Sequence, residues 1–119
     1  NISSTTKRNA IPERLASNID TLRLIVDFNL SKNINSFFYF VPIRPNEEFP
    51  YYESEFQTWK KKLENILQGN DIQYADFTSI VEEKYWGSNF GEDIDFMHFG
   101  QKGHEILADA VFKKMAIID

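Results

Sequence analysis

The sequence predicts an α/β domain, a parallel sheet covered by helices on both faces, and three observations predict it. Apolar residues recur at helical spacing in three separate stretches. Between them lie a short apolar run rich in aromatic and branched residues, Phe37 to Ile43, and a second strand-like stretch, Ile72 to Phe77. The two kinds of signal alternate along the chain as helix, strand, helix, strand, loop, helix, an order that calls for right-handed crossovers and parallel neighbours. With 119 residues, 42% of them hydrophobic and 15% aromatic, the chain supports one packed domain at most. No internal repeat, low-complexity tract or linker marks a second one.

Residues 1–10 are polar and read as a trailing connection. Pro12 suits the first turn of a helix, and Leu15, Ile19, Leu22, Val26 and Leu30 then form one apolar face. Asn33 and Asn35 are stop signals. Phe37-Phe38-Tyr39-Phe40-Val41-Pro42-Ile43 reads as a strand buried on both faces. The loop Arg44–Pro50 leaves its C-terminal end, where open α/β sheets bind ligands. Arg44 and Asn46 are the substrate-binding candidates on this rim. Arg44 suits an anionic substrate group, but a surface ion pair with Glu47 or Glu48 is the favoured reading.

Tyr52, Phe56, Trp59, Leu63 and Ile66 mark a second helix, with Gly69-Asn70 as a left-handed stop. Ile72 to Phe77 is the second strand. Thr78 to Tyr85 is a short helix or turn, and Trp86-Gly87-Ser88-Asn89-Phe90-Gly91 a glycine-punctuated loop. The final helix, about Gln101 to Met115, turns Ile106, Leu107, Ala110, Val111 and Met115 inward.

The net charge of -5 argues against nucleic acid or an anionic membrane as the main partner. Lys60-Lys61-Lys62, the only basic run, falls mid-helix and reads as a solvated face. With no cysteine there is no disulfide, thiolate metal site or Cys nucleophile. No apolar run approaches a membrane span. The start, Asn1 to Arg8, carries neither an initiator Met nor a signal-peptide pattern and reads as cut from a longer chain.

The stretch that carries chemistry is Glu92 to His104, read as a short loop running into the last helix. Asp95 and His98 stand three residues apart, so one turn of backbone brings carboxylate against imidazole. A carboxylate on one ring nitrogen fixes the tautomer, leaves the other nitrogen as an outward acceptor and stabilises the protonated ring. That is the base-plus-orienter half of a nucleophilic triad. The same two residues also fit an ordinary solvated pair or a helix cap. Asp93 is the fallback partner for His98.

Asp95, His98, Gly100 and Gly103, followed by Ile106-Leu107-Ala108-Asp109-Ala110-Val111, resemble the closing block of the SGNH (GDSL-type) hydrolases. His98-Phe99-Gly100-Gln101-Lys102-Gly103-His104 is also similar to the D-alanyl transfer branch of teichoic acid metabolism, which implies an extracytoplasmic or cell-envelope setting. The resemblance spans roughly residues 12–116, loosely outside that block. It implies a three-layer, flavodoxin-like sheet of which this chain is an incomplete C-terminal half. It also implies a serine-dependent esterase or acyltransferase, without cofactor or metal, acting on a small-molecule or glycan ester. Asp95 and His98 are then the catalytic residues. The family's Gly-Asp-Ser block and its oxyanion-hole Gly and Asn are missing. Ser3, Ser4, Ser17, Ser31, Ser36, Ser54, Ser79 and Ser88 all stand in the wrong context. The expectation is therefore one truncated domain over residues 1–119, inactive alone and completed by the remainder of its parent, which would also cover the bare edges of two strands.

Two other readings compete. Asp95, His98 and His104 are potential metal ligands, but the two histidines lack the i, i+4 spacing of a helical metal pair, and His104 reads as a packing residue. The alternative function is a non-catalytic α/β module that binds a cell-envelope glycan or a protein partner.

Overall fold

The computed structural model describes residues 7–46, 49–89 and 93–116. In chain order they form α1 (Pro12–Ser31), β1 (Phe37–Phe40), α2 (Glu53–Gly69), β2 (Gln73–Asp76), a 3₁₀ turn (Glu83–Tyr85), β3 (Trp86–Asn89), β4 (Asp93–Phe99) and α3 (Gln101–Met115). The fold is α/β with two small sheets. β1 and β2 pair in parallel, and β3 and β4 form an antiparallel hairpin. Among the described residues no helix is long and apolar enough to cross a membrane.

The parallel pair is shorter than the apolar runs suggest. β1 stops at Phe40 rather than Ile43, because Pro42 has no N–H to give the ladder. Backbone contact continues beyond it: Phe77 N–H donates to the Phe40 carbonyl (3.1 Å) and Ile43 N–H to that of Thr78 (2.8 Å).

α1 starts on Pro12, with Arg14 and Leu15 N–H both reaching the Ile11 carbonyl at 3.0 Å. It ends where Asn33 turns left-handed at φ 54°, a conformation that asparagine tolerates. α2 ends at Gly69, as Gly69-Asn70 predicts, but the cap Asn70 is not left-handed (φ -111°). The Asn70 side-chain amide caps the Ile66 carbonyl at 2.8 Å, and the left-handed residue is Asp71 (φ 54°). Lys60 pairs with Glu64 at 3.8 Å, one turn along the same helix.

The described residues fall into two compact units. One comprises Lys7–Phe38 and Tyr51–Tyr74, the other the described residues of 39–50 and 75–116, with β1 and β2 contributing to both. In the first, Val26, Ile66 and Leu67 are buried, Leu15, Ile19 and Leu22 are half-buried, and Leu30 at the end of the α1 stripe is exposed. In the second, Ala75, Phe77, Val81 and Trp86 form the buried cluster. The Trp86 indole N–H donates to the Val81 carbonyl at 3.2 Å, so its polar edge is satisfied inside the core. On α3, Ile106, Leu107, Ala110 and Val111 are half-buried, whereas Met115 in the last turn is exposed.

Two expectations are corrected here. Trp86–Asn89 and the Asp95–His98 block are strands of a hairpin, not loops. The stretch carries its own hairpin signal: turn-forming Asn89 and Gly91 lie between Trp86 on one side and Ile94, Phe96 and Phe99 on the other.

Candidate active site

The hairpin is irregular, and the irregularity holds the candidate residues. Trp86 pairs with Phe99, Ser88 with Ile94 and Asn89 with Asp93. Between the first two of these pairs β3 advances two residues while β4 advances five, so Asp95–His98 leave the ladder as an enlarged bulge. Bulges re-aim side chains that a regular strand would alternate across its faces. The bulge closes on its own first residue. Asp95 Oδ1 accepts N–H bonds from Met97 (2.8 Å) and His98 (3.0 Å), a turn fixed by side chain rather than by ladder. Asp95 Oδ2 lies 2.8 Å from His98 Nδ1.

The three-residue spacing thus produces the contact it suggested. Asp95 is 7% exposed, whereas the His98 side chain is 79% exposed. Nε2 of His98 has no hydrogen-bond partner among the described residues. A proton on Nδ1, donated to the carboxylate, leaves Nε2 with its lone pair toward solvent. The Asp95 carboxyl is held below the usual aspartate range. Burial is the largest single influence and acts upward, but bonds from Met97 N–H, the His98 ring and His98 N–H together outweigh it. Asp95 is therefore an anion at neutral pH, as an orienting carboxylate must be.

Three neighbours shape the bulge. Gly87 sits opposite it, where a Cβ would lie 3.9 Å from the His98 carbonyl. Gly100 N–H donates to the Tyr85 carbonyl at 2.7 Å and fixes the passage from β4 into α3. Gly103 is buried against Phe99, and a Cβ there would come within 2.6 Å of the ring and 2.9 Å of the Phe99 Cβ. Phe99 is gripped from two more sides, by Trp86 edge-on at 5.1 Å and by His104 at 4.5 Å between ring centroids. Gly103 thus has a local reason to be glycine, whereas at Gly100 a Cβ would meet the Tyr85 carbonyl at an ordinary 3.6 Å.

Arg44 has a carboxylate partner among the described residues. Its carboxylate contact is Glu83, with Nε at 2.7 Å and Nη2 at 2.6 Å from the same Oε1, while Glu47 and Glu48 lie outside the described residues. Nη1 donates to the carbonyls of Gly87 (2.5 Å) and Asp95 (3.2 Å). Asn46 is exposed and left-handed at φ 62°, a turn residue of the rim. The side chains of Asp93 and Ser88 lie outside the described residues, as do Ser3 and Ser4. Ser79 is exposed in a turn. His104 packs its ring on Phe99, and among the described residues no group of three or more His, Asp or Glu is placed to hold a metal ion. Sequence reasoning missed the Arg44–Glu83 pair, since no periodicity links residues 39 positions apart.

No family model, curated protein or solved structure matches the chain.

Proposed function

We propose that this chain supplies the histidine base and its orienting carboxylate for serine-dependent acyl transfer of the SGNH type. One observation carries the reading: a nearly buried Asp95 carboxylate on His98 Nδ1 at 2.8 Å, with the far side of the ring open. In this reading Nε2 of His98 takes the proton of a serine hydroxyl as its oxygen attacks an ester carbonyl. Asp95 stabilises the imidazolium so formed, and the same proton then passes to the leaving alcohol. Water or a second alcohol accepts the acyl group, making the outcome hydrolysis or transfer. The serine and the oxyanion-hole donors come from sequence outside these 119 residues. So does the rest of a parallel sheet covered by helices on both faces. The substrate is a small-molecule or glycan ester, and neither cofactor nor metal takes part.

A serine-directed fluorophosphonate tests this, applied to the present chain and to a longer chain that includes it. Label is expected on a serine outside residues 1–119, with none on the present chain. Label on Ser79 or Ser88 would move the nucleophile inside the chain. No label on a folded longer chain would remove the serine mechanism.

The second reading, a non-catalytic module that binds a cell-envelope glycan or a protein partner, draws on an open cleft of about 990 Å³ between α1 and α2. Leu15, Ile19 and Trp59 give it apolar wall, Arg23, Lys62 and Asn65 polar groups, and the Trp59 indole N–H is buried without a partner among the described residues. Isothermal titration with envelope glycan fragments, repeated on Trp59→Ala, separates it from the acyl-transfer reading.

A further inference from the structure

We propose that Arg44 is the positioning residue of the Asp95–His98 pair, holding the bulge open from the end of the parallel sheet. The inference rests on the acyl-transfer reading for its consequence, though not for its geometry. Arg44 follows β1 by four residues, so its backbone belongs to the carboxyl end of that strand. Its guanidinium has five N–H bonds in a rigid plane and makes three hydrogen bonds within the protein, with Nη2 in ion-pair contact besides.

These contacts are divided between one carboxylate and two backbone carbonyls. A guanidinium that only neutralises a carboxylate meets both its oxygens in a parallel fork. Here Nε and Nη2 converge on one oxygen of Glu83, and Glu83 Oε2 is buried with no partner among the described residues. Nη1, which a side-on contact through Nε and Nη2 leaves free, bonds the Gly87 and Asp95 carbonyls together. Gly87 lies on β3 where Asp95–His98 leave the ladder, and Asp95 is the first residue of the bulge. The two carbonyls belong to facing strands that make no ladder bond with each other there. Arg44 therefore substitutes a cationic donor for missing strand pairing. With a side chain only 11% exposed it has little room to move, and it fixes the peptide from which the Asp95 carboxylate reaches back to Met97, His98 and the ring.

Lysine keeps the charge but offers a single point of attachment, which cannot hold Glu83 and two carbonyls in one plane. Arg44→Lys and Arg44→Met are compared with the unaltered chain by nitrogen-resolved NMR of the His98 ring. The Trp86–Phe99 ring contact serves as reporter of an intact hairpin. In the unaltered chain Nδ1 carries the proton of the neutral ring. Both variants are expected to shift His98 toward the Nε2–H form of a free side chain and to raise the Asp95 titration toward that of an ordinary aspartate, with the Trp86–Phe99 contact retained. An unchanged tautomer in either variant overturns the proposal. Loss of the Trp86–Phe99 contact, or failure of both variants to fold, overturns it too, because Arg44 would then be a general support of the unit. Ester turnover is not read here, so a failed acyl-transfer reading and a failed positioning role give different results.

Discussion

The two units of this protein are held by different kinds of contact. In the helical unit most of the polar bonds are short in sequence, although Ala10 N–H also reaches Glu55 Oε2 at 2.8 Å across 45 positions. Thr21 donates to Ser17, Thr58 to Ser54, Gln57 to Glu53, and Lys60 pairs with Glu64, each one helical turn away. In the unit carrying Asp95 and His98 the defining bonds are long in sequence and made by one side chain, Arg44, to Glu83, Gly87 and Asp95. A regular element needs only a repeating pattern, whereas a bulge that displays a histidine needs a donor brought from elsewhere. The first kind of order is robust to single substitutions, and the second concentrates its dependence on a few residues.

That contrast breaks most sharply at Trp86. Its ring is buried against Phe99 and its N–H is spent on Val81. Trp86→Ala is expected to cost ~3–5 kcal/mol, the range for a buried aromatic replaced by a methyl group. Urea denaturation gives the cost, and the His98 ring signal should disperse with it.

Gly103→Ala comes next. Alanine gains up to about 1 kcal/mol of helix propensity. Against this, its Cβ meets the Phe99 Cβ at 2.9 Å, which no rotation of the ring relieves. Overpacking of this kind costs ~1–3 kcal/mol, so net destabilisation is expected in thermal unfolding. A variant as stable as the original would show that α3 slides freely on Phe99.

Asp95 supplies the pH dependence. Its folded carboxyl is held below the ordinary aspartate value, so its contribution is complete above that value and is lost as pH falls through the depressed one. Asp95→Asn removes this acid-side slope. Unfolding curves recorded below about pH 4, the ordinary aspartate value, should fall more steeply for the unaltered chain than for the variant. Parallel curves would mean the carboxylate has no preferred partner.

The smallest effect belongs to the helical unit. Glu64→Gln, which breaks one i, i+4 pair, should cost only ~0.3–0.5 kcal/mol. A loss as large as that of Gly103→Ala would erase the difference between the units.

How much of this was legible follows the same division. α1, α2 and α3 are readable from Leu15-Ile19-Leu22-Val26, Phe56-Trp59-Leu63-Ile66 and Ile106-Leu107-Ala110-Val111, because a helix writes its buried face at fixed spacing. The Asp95–His98 contact is readable because both partners lie within one turn. The hairpin is not read as one, because Gly87 and the bulge interrupt the alternation that marks a strand. Nor is the Arg44 clamp, since nothing local to Arg44 distinguishes Glu83 from the nearer Glu47 and Glu48.

The central claim is that His98 is a base held by Asp95 for a serine ester mechanism. The most direct measurement is kcat for short-chain ester turnover by a longer chain containing these residues, with and without His98→Ala, each shown folded by circular dichroism. The account predicts a fall of ~10²–10⁴ in kcat, the range for removing a positioned general base. Full turnover by the folded His98→Ala protein would contradict it.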